Sequence, residues 1–181
     1  MILNNFSNLC ACLNQNPSGY YQKDMGFIDV SGNSPSFWAS DPYRTPGNGG
    51  ISLLRLTSGG TNLNSQPVWF ILLGKGTTQP TPSDYNFETA IEGASYTSTN
   101  ASFTRTGTKL IYSAVITNTG SSSFSFSEVA LGNHYAKNND EGTDTVILLT
   151  RDVISPVTVE ANKAKTVTVV IDFAAMATSV A

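Results

Sequence analysis

The sequence predicts an all-β protein with an antiparallel β-sandwich, of jelly-roll or Ig-like type, preceded by a short N-terminal helix or docking arm. Apolar and polar residues alternate with a period of two over most of the chain after residue 25, as in half-buried strands. Clusters of Gly, Pro, Asn and Ser separate these segments at short intervals, which is typical of sandwiches and barrels. A chain of 181 residues supports one sizeable core. We therefore expect an arm over 1–25 and a single domain over 26–181, best defined at about 100–175.

The N-terminal segment differs from the rest because its apolar side chains recur at helical spacing. Ile2, Phe6, Leu9 and Leu13 are four, three and four residues apart, which is typical of an amphipathic helix. A proline and a glycine shortly after them end the pattern. These four residues predict a short helix or an arm that docks on a partner.

The first half of the domain contains three strand candidates and one long loop. Residues 26–31 form a short apolar segment, and 51–57 and 67–73 form two longer ones. Since 67–73 is a continuous apolar run, we expect it to be buried on both faces. Residues 74–84 read as a Pro/Thr loop, and 85–92 as a strand or a helical turn.

The second half alternates more regularly. Residues 101–120 predict a strand, a turn at Gly107 and a second, longer strand. Residues 160–165 predict a polar hairpin loop before the last strand, and 174–180 a final strand or a docking extension. Four further strands are expected at 122–132, 145–153, 156–160 and 165–173, the last with Val167, Val169, Ile171 and Phe173 pointing inward.

Charge and hydropathy argue against two classes of partner. The net charge is −3 and the sequence pI is about 5.0, with scattered Lys and Arg, whereas nucleic-acid binding needs a basic surface. No apolar run reaches the roughly 20 residues of a membrane span. Only 13% of residues are charged, which suits a protein that packs against copies of itself, or an extracellular module.

Residues with catalytic or metal-binding chemistry are few. His134 is the only histidine and lies in a polar loop, so we expect a solvated or packing side chain and not a catalytic one. The acidic cluster of Asp140, Glu141 and Asp144 could hold calcium, but it lacks the EF-hand order and a solvated loop is favoured. No feature of the sequence indicates that two of the acids Glu88, Glu92 and Glu128 lie in one cleft. We expect no enzymatic activity, no catalytic residue, no metal and no cofactor.

Aromatic residues crowd the loop-rich first quarter, at Tyr20, Tyr21, Phe37, Trp38 and Tyr43. If exposed, Tyr20, Tyr21, Trp38 and Tyr43 would make a surface for a glycan or a protein partner. The alternative is that they close one end of the sandwich.

An acid and a base stand on strands that should be buried. By alternation, Phe126 and Glu128 share a face unless a bulge near Ser127 re-aims the chain, and Leu149 shares a face with Arg151. A buried unpaired charge is costly. We therefore predict a cross-strand Glu128–Arg151 ion pair, bidentate if the geometry allows; the alternative is that both side chains reach water near strand ends.

The segments "VITNTGSSSFSFSEVALG" (115–132) and "ILLTRDVISPVTVEANKAKTVTVVIDF" (147–173) carry a family resemblance. Together they resemble a recurrent β-sandwich module of tailed-bacteriophage virion structural proteins, with an N-T-G-S hairpin, an E-V strand and an L-L-x-R-D-V-x-S-P-V-T-V strand pair. The resemblance covers the chain from about residue 100 onward and fixes Glu128, Arg151, Asp152 and Pro156. Residues 160–165 depart from the Pro/Gly-containing turn that is usual there.

The resemblance implies a non-enzymatic structural component of a bacteriophage virion, in a tail, neck, fibre or capsid-surface assembly. Its partners would be copies of itself and other virion proteins, and its location the virion, assembled in the host cytoplasm. The alternative is an extracellular or virion-tip module that binds a host-surface glycan or receptor through the Tyr/Trp-rich loops. A third hypothesis, a small glycan-cleaving enzyme, requires two carboxylates across a cleft.

Overall fold

A computed structural model describes residues 1–8, 21–24, 27–34, 36–39, 69–91, 96–99, 101–136 and 144–176. At 21–24, 36–39, 133–136, 144–145 and 175–176 it describes the backbone alone. Residues 4–8 are helical and Phe173–Met176 form a 3-10 turn. The strands are β1 (Tyr21–Asp24), β2 (Ser36–Ala39), β3 (Trp69–Gly74), β4 (Tyr96–Ser98), β5 (Ser102–Thr106), β6 (Lys109–Asn118), β7 (Phe124–Ala136), β8 (Asp144–Val159) and β9 (Ala164–Asp172).

Two antiparallel sheets build the domain. One has the strand order β3-β7-β8. In the other, β6 is central: β4 and β5 pair with successive parts of one edge, and β9 pairs with the other edge along nearly its whole length. The short β1 and β2 form a separate antiparallel pair.

The sheets pack face to face around one core. Trp69 and Ile71 of β3 belong to the same buried cluster as Tyr112 and Ile116 of β6, and the Trp69 and Tyr112 rings lie 5.4 Å apart. Val169 of β9 joins them. Alternating apolar residues from both sheets therefore meet in the middle, and the predicted antiparallel sandwich is confirmed.

The structure confirms two local predictions. The apolar β3 is buried on both faces: Ile71 and Leu73 face the other sheet, while Leu72 packs against a second cluster on the opposite side. Gly107 has a φ of 57° and opens a two-residue turn between the paired residues Thr106 and Lys109. A glycine at this position suits the type II′ turn of a tight hairpin.

The two turns expected to be hairpins are corners between the sheets. Strand β6 lies in one sheet and β7 in the other, and the same holds for β8 and β9, so residues 119–123 and 160–163 do not join paired strands. Asn118 ties both corners together. Its Nδ2 donates to the carbonyls of Ser122 (2.8 Å) and Val159 (3.0 Å), and its backbone N–H donates to Lys163 O (2.9 Å).

Other strand predictions need correction. The two strands expected at 145–153 and 156–160 are one strand, β8, with an irregularity between them. Residues 27–30 are not a strand, and 85–91 form neither strand nor helix apart from a single bridge at Ala90. The candidate at 51–57 lies outside the described residues. Val169 and Ile171 are buried as expected, but Phe173 is 38% exposed.

The N-terminal residues pack on the free edge of β8. Ile2 bridges Thr150, and the Leu3 N–H donates to the Leu149 carbonyl at 3.0 Å. Leu3 and Phe6 are buried, so this part of the expected arm lies within the domain. In the part of the chain described, no helix is long and apolar enough to span a bilayer.

Candidate functional site

An irregularity in the pairing of β7 with β8 decides where Glu128 lies. Phe126 and Val129 both belong to the core between the sheets, which strict alternation forbids for residues three apart. Phe126 pairs with Val157 and Glu128 with Val153, so Ser127 alone stands opposite residues 154–156 of β8. Glu128 therefore lies on the outer face of the β3-β7-β8 sheet, the face turned away from the second sheet. The alternation that would place Glu128 on the face of Phe126 is interrupted at Ser127, which is the exception that the prediction allowed.

A bulge in β8 changes the face of the sheet on which Arg151 lies. Leu131 pairs with Thr150 but the next residue, Gly132, pairs with Leu148, so Leu149 is an extra residue in β8. Leu149 faces the core, whereas Arg151 stands opposite Ala130 on the outer face. The expectation that Leu149 and Arg151 share a face is wrong. Since the alternation is interrupted before Glu128 in β7 and before Arg151 in β8, acid and base reach the same face.

The acid and the base are in direct contact there. Arg151 Nε donates to Glu128 Oε1 at 2.7 Å, and Arg151 Nη2 donates to the same oxygen. The Glu128 side chain is 0% exposed and that of Arg151 is 4% exposed. Both guanidinium nitrogens use one carboxylate oxygen, so Oε2 remains available for other donors. The pair therefore differs from a two-oxygen fork.

The remaining bonds of Glu128 hold the long loop over residues 75–91 on the sheet. The Gly76 N–H donates to Oε2, the Glu88 N–H donates to Oε1 at 3.1 Å, and the Thr89 N–H donates to Oε2 at 3.4 Å. Ser127, at which the pairing of β7 with β8 shifts, donates a hydrogen bond from its hydroxyl group to Gly76 O at 2.9 Å. The carboxylate thus satisfies backbone N–H groups that have no partner strand, which an apolar residue could not do.

Arg151 extends the same network toward the surface. Its Nη1 donates to Asp84 Oδ2 at 2.5 Å and its Nη2 donates to Thr78 O at 3.2 Å. Burial disfavours the charged guanidinium, but the bonds and charges of Glu128 and Asp84 outweigh it and raise the pKa of Arg151. Partial burial acts to raise the pKa of Asp84, yet hydrogen bonds from Thr81 and Arg151 prevail and lower it.

The cluster holds the 75–91 loop on the sheet and leaves Glu128, its central acid, inaccessible to a ligand. A general acid or a nucleophile must come within hydrogen-bond reach of a substrate, and the fully buried Glu128 is enclosed by its own chain. Gly76 shows how tight this enclosure is, because a Cβ there would lie 2.6 Å from Glu128 Cδ. The arrangement can anchor a loop; it offers Glu128 no ligand-accessible surface.

The other two positions fixed by the resemblance, Asp152 and Pro156, are exposed and lie on β8 near Arg151. Asp152 follows Arg151 and contacts the α-amino group of Met1. Pro156 lies between the paired residues Val153 and Val157, in the stretch of β8 that the irregularity frees from regular pairing. Proline removes an N–H that a regular ladder would need, so a bulge is where a strand tolerates it.

The other residues predicted to form sites are placed as follows. Ile2 and Phe6 pack against the core of their own domain. Tyr21 and Trp38 lie on β1 and β2, where only the backbone is described. Leu9, Leu13, Tyr20 and Tyr43 lie outside the described residues.

The structure describes only some of the residues that were considered for histidine or metal chemistry. His134 lies on β7, opposite Val146, and not in a loop. Asp144 begins β8, while Asp140, Glu141 and Glu92 lie outside the described residues. Across the described ranges, no three His, Cys, Asp or Glu side chains are grouped so as to hold a metal ion.

Sequence reasoning missed the partners that complete the cluster. Asp84 carries a local signal, since Thr81 N–H and Oγ1 donate to its carboxylate at 3.0 and 2.6 Å within one turn. Its contact with Arg151, 67 residues away in the sequence, has no local signal. Gly76 likewise gives no sign in the sequence that a carboxylate will reach its N–H.

No protein-family model, curated protein or solved structure matches this chain. The functional proposal therefore rests on the sequence and on the geometry of the cluster.

Proposed function

We propose that the protein is a non-enzymatic structural component of a bacteriophage virion, where several copies pack in a tail, neck, fibre or capsid-surface assembly. One observation carries this proposal: two of the four positions that the resemblance fixes, Glu128 and Arg151, form a buried joint, and the other two, Asp152 and Pro156, lie on the same strand as Arg151. At the joint β7, β8 and the 75–91 loop are fastened to each other. A module selected for architecture needs such a joint.

The use made of the charged groups supports a structural role over a catalytic one. Glu128 accepts hydrogen bonds from Arg151 and from the backbone N–H groups of Gly76, Glu88 and Thr89. Arg151 donates hydrogen bonds to Glu128, Asp84 and Thr78. These contacts rigidify the outer face of a sheet without presenting Glu128 to a substrate.

The second sheet supplies a surface suited to packing against other subunits. Its outer face exposes Val115 and Val170, which are 39% and 49% exposed, among Ser and Thr side chains such as Ser113 and Thr168, bonded to each other at 2.9 Å. Depletion of charge with exposed aliphatic residues is typical of the central part of a protein interface. Copies related by symmetry would bury this face.

Identification of the protein in particles tests the proposal. Phage particles from the organism that encodes the chain are purified, analysed by mass spectrometry and labelled with an antibody for electron microscopy. We expect the protein in intact particles, at a fixed ratio to other structural proteins and at one location. Its absence from purified particles would contradict the proposal, as would turnover of a glycan by the purified protein.

A further inference from the structure

Two cavities lie side by side on the 75–91 loop, and the buried Glu128 is not among the residues that line them. Their volumes are about 340 and 620 Å³, and Ser83, Asp84 and Tyr85 line both. Sites for small ligands have volumes of about 300–1,000 Å³. The two cavities thus form adjoining subsites that meet at residues 83–85.

Tyr85 is an exposed aromatic ring held between these subsites. It is 43% exposed, and a Cβ built on Gly32 would lie 3.4–3.5 Å from its hydroxyl and ring carbons, so the ring rests on the turn at residue 32. That turn is fixed by Asp29, whose Oδ1 accepts the N–H groups of Ser31 and Asn33 at 2.8 and 2.9 Å. The ring is therefore positioned before a ligand arrives, which reduces the entropic cost of binding.

The cavity walls are rich in uncharged polar groups. Asn4 and Ser7 line the smaller cavity, and Gln79 and Thr81 line the larger one. Glu88 also lines the larger cavity, where its Oε2 accepts the N–H groups of residues 77 and 78 at 2.8 and 2.9 Å. Amides, hydroxyls and a carboxylate around an aromatic ring can pair with the hydroxyl groups of a sugar while its C–H face stacks on the ring.

The charge of the cavities selects against acidic ligands. Hydrogen bonds from the backbone of Thr78 and Thr77 lower the pKa of Glu88, and that of Asp84 is also lowered, so both are anionic at neutral pH. Arg151 is the one cation among the described lining residues, and it is compensated by Glu128. A phosphate, sulfate or carboxylate would meet net negative charge.

From this geometry we infer that the surface around Tyr85 binds an uncharged oligosaccharide, with sugar units in the two cavities and the Tyr85 ring between them. The site does not depend on the proposed virion role, since it rests on the cavities, the ring and the polar walls alone. The inference rests on Tyr85 and not on Tyr20, Tyr21, Trp38 or Tyr43, where the sequence predicted glycan contacts.

Binding of defined oligosaccharides tests this inference. Maltotetraose, cellotetraose and chitotetraose serve as neutral probes, and sialyllactose and a sulfated tetrasaccharide as acidic ones, with affinity measured by calorimetry and by chemical-shift changes. Tyr85→Ala removes the ring, Tyr85→Phe keeps it, and Val170→Ala on the other sheet is the surface control. Thermal unfolding of each variant shows that it is folded.

We expect at least one neutral probe to bind at millimolar concentration or below, and Tyr85→Ala to weaken it by about tenfold or more. Tyr85→Phe should weaken it less, and Val170→Ala should leave it unchanged. Failure of the folded protein to bind any neutral probe would overturn the inference. So would equal binding by Tyr85→Ala, or preference for the acidic probes. None of these outcomes bears on whether the protein is found in particles.

Discussion

Replacement of Glu128 by glutamine tests whether the buried pair holds the fold together. The substitution keeps the shape of the side chain, removes its charge and converts one acceptor oxygen into a donor NH2 group. If the amide oxygen takes the place of Oε1, it keeps Arg151 and the Glu88 N–H, but the NH2 group then meets the N–H groups of Gly76 and Thr89. In the opposite orientation the NH2 group meets the donor groups of Arg151 and the N–H group of Glu88. Neither orientation satisfies all the donors.

The expected loss follows from those unmade bonds. Each buried donor left without an acceptor costs about 1–3 kcal/mol, and breaking one side of a buried ion pair costs about 3–5 kcal/mol in total. We therefore expect Glu128→Gln to lower the free energy of unfolding by about 3–5 kcal/mol, a large part of the roughly 5–15 kcal/mol of a typical domain.

Urea denaturation followed by circular dichroism and tryptophan fluorescence measures this loss. The matched control is Lys109→Gln, which removes the exposed pair with Asp172, where the charged atoms lie 3.5 Å apart. Such a surface pair contributes at most about 1 kcal/mol.

A double-mutant cycle with Glu128→Met and Arg151→Met then isolates the contact itself. Because each single change leaves the other charge buried, we expect the double variant to be more stable than the sum of the singles implies, by about 1–3 kcal/mol. A loss below about 1 kcal/mol for Glu128→Gln, or strict additivity in the cycle, would refute the reasoning.

Three further predictions concern the loop, the corners and pH. Gly76→Ala should destabilise the protein by about 2–4 kcal/mol in urea denaturation because its Cβ has no room, whereas Gly107→Ala, with no atom within 4 Å, should cost about 1 kcal/mol through its positive φ; equal losses would contradict this. Asn118→Ala should cost about 2–3 kcal/mol, since the buried Val159 carbonyl and the partly buried Ser122 carbonyl lose their donor, and a melting temperature unchanged from the parent would count against the corner role. The pKa of Asp84 is below its ordinary value of 3.8, so its contribution to stability is present above that value and is lost as pH falls through the folded-state pKa. Thermal unfolding between neutral pH and pH of about 2 should therefore show a decline below pH of about 4 that is flatter in Asp84→Asn; an identical decline would oppose the assignment.

The alternation of apolar residues was enough to predict the sandwich, because each of its strands has one face in a shared core. Strand β3, the Gly107 turn and the inward residues Val169 and Ile171 follow directly from local pattern. The corners did not, since a polar turn looks the same whether its strands pair or enter different sheets. Asn118 makes that difference through contacts with residues up to 45 positions away.

The predicted pairing of Glu128 with Arg151 was reached although neither strand alternates without interruption. The prediction allowed an interruption near Ser127 but assumed unbroken alternation from Leu149 to Arg151, and the alternation changes at both places. The two changes cancel, so the residues still meet. A bulge is a property of the pairing of two strands, and neither strand alone specifies its register. The loop donors and Asp84 could not be predicted because they come from distant parts of the chain.

Amide hydrogen exchange measures most directly whether Glu128 and Arg151 serve to fasten the fold. In the parent protein the N–H groups of Gly76, Glu88 and Thr89 should exchange slowly, although no regular strand contains them, because Glu128 accepts their hydrogen bonds. In Glu128→Gln under native conditions, exchange across the 75–91 loop should accelerate while the amides of β6 keep their protection. Unchanged protection of the loop in that variant would contradict the account.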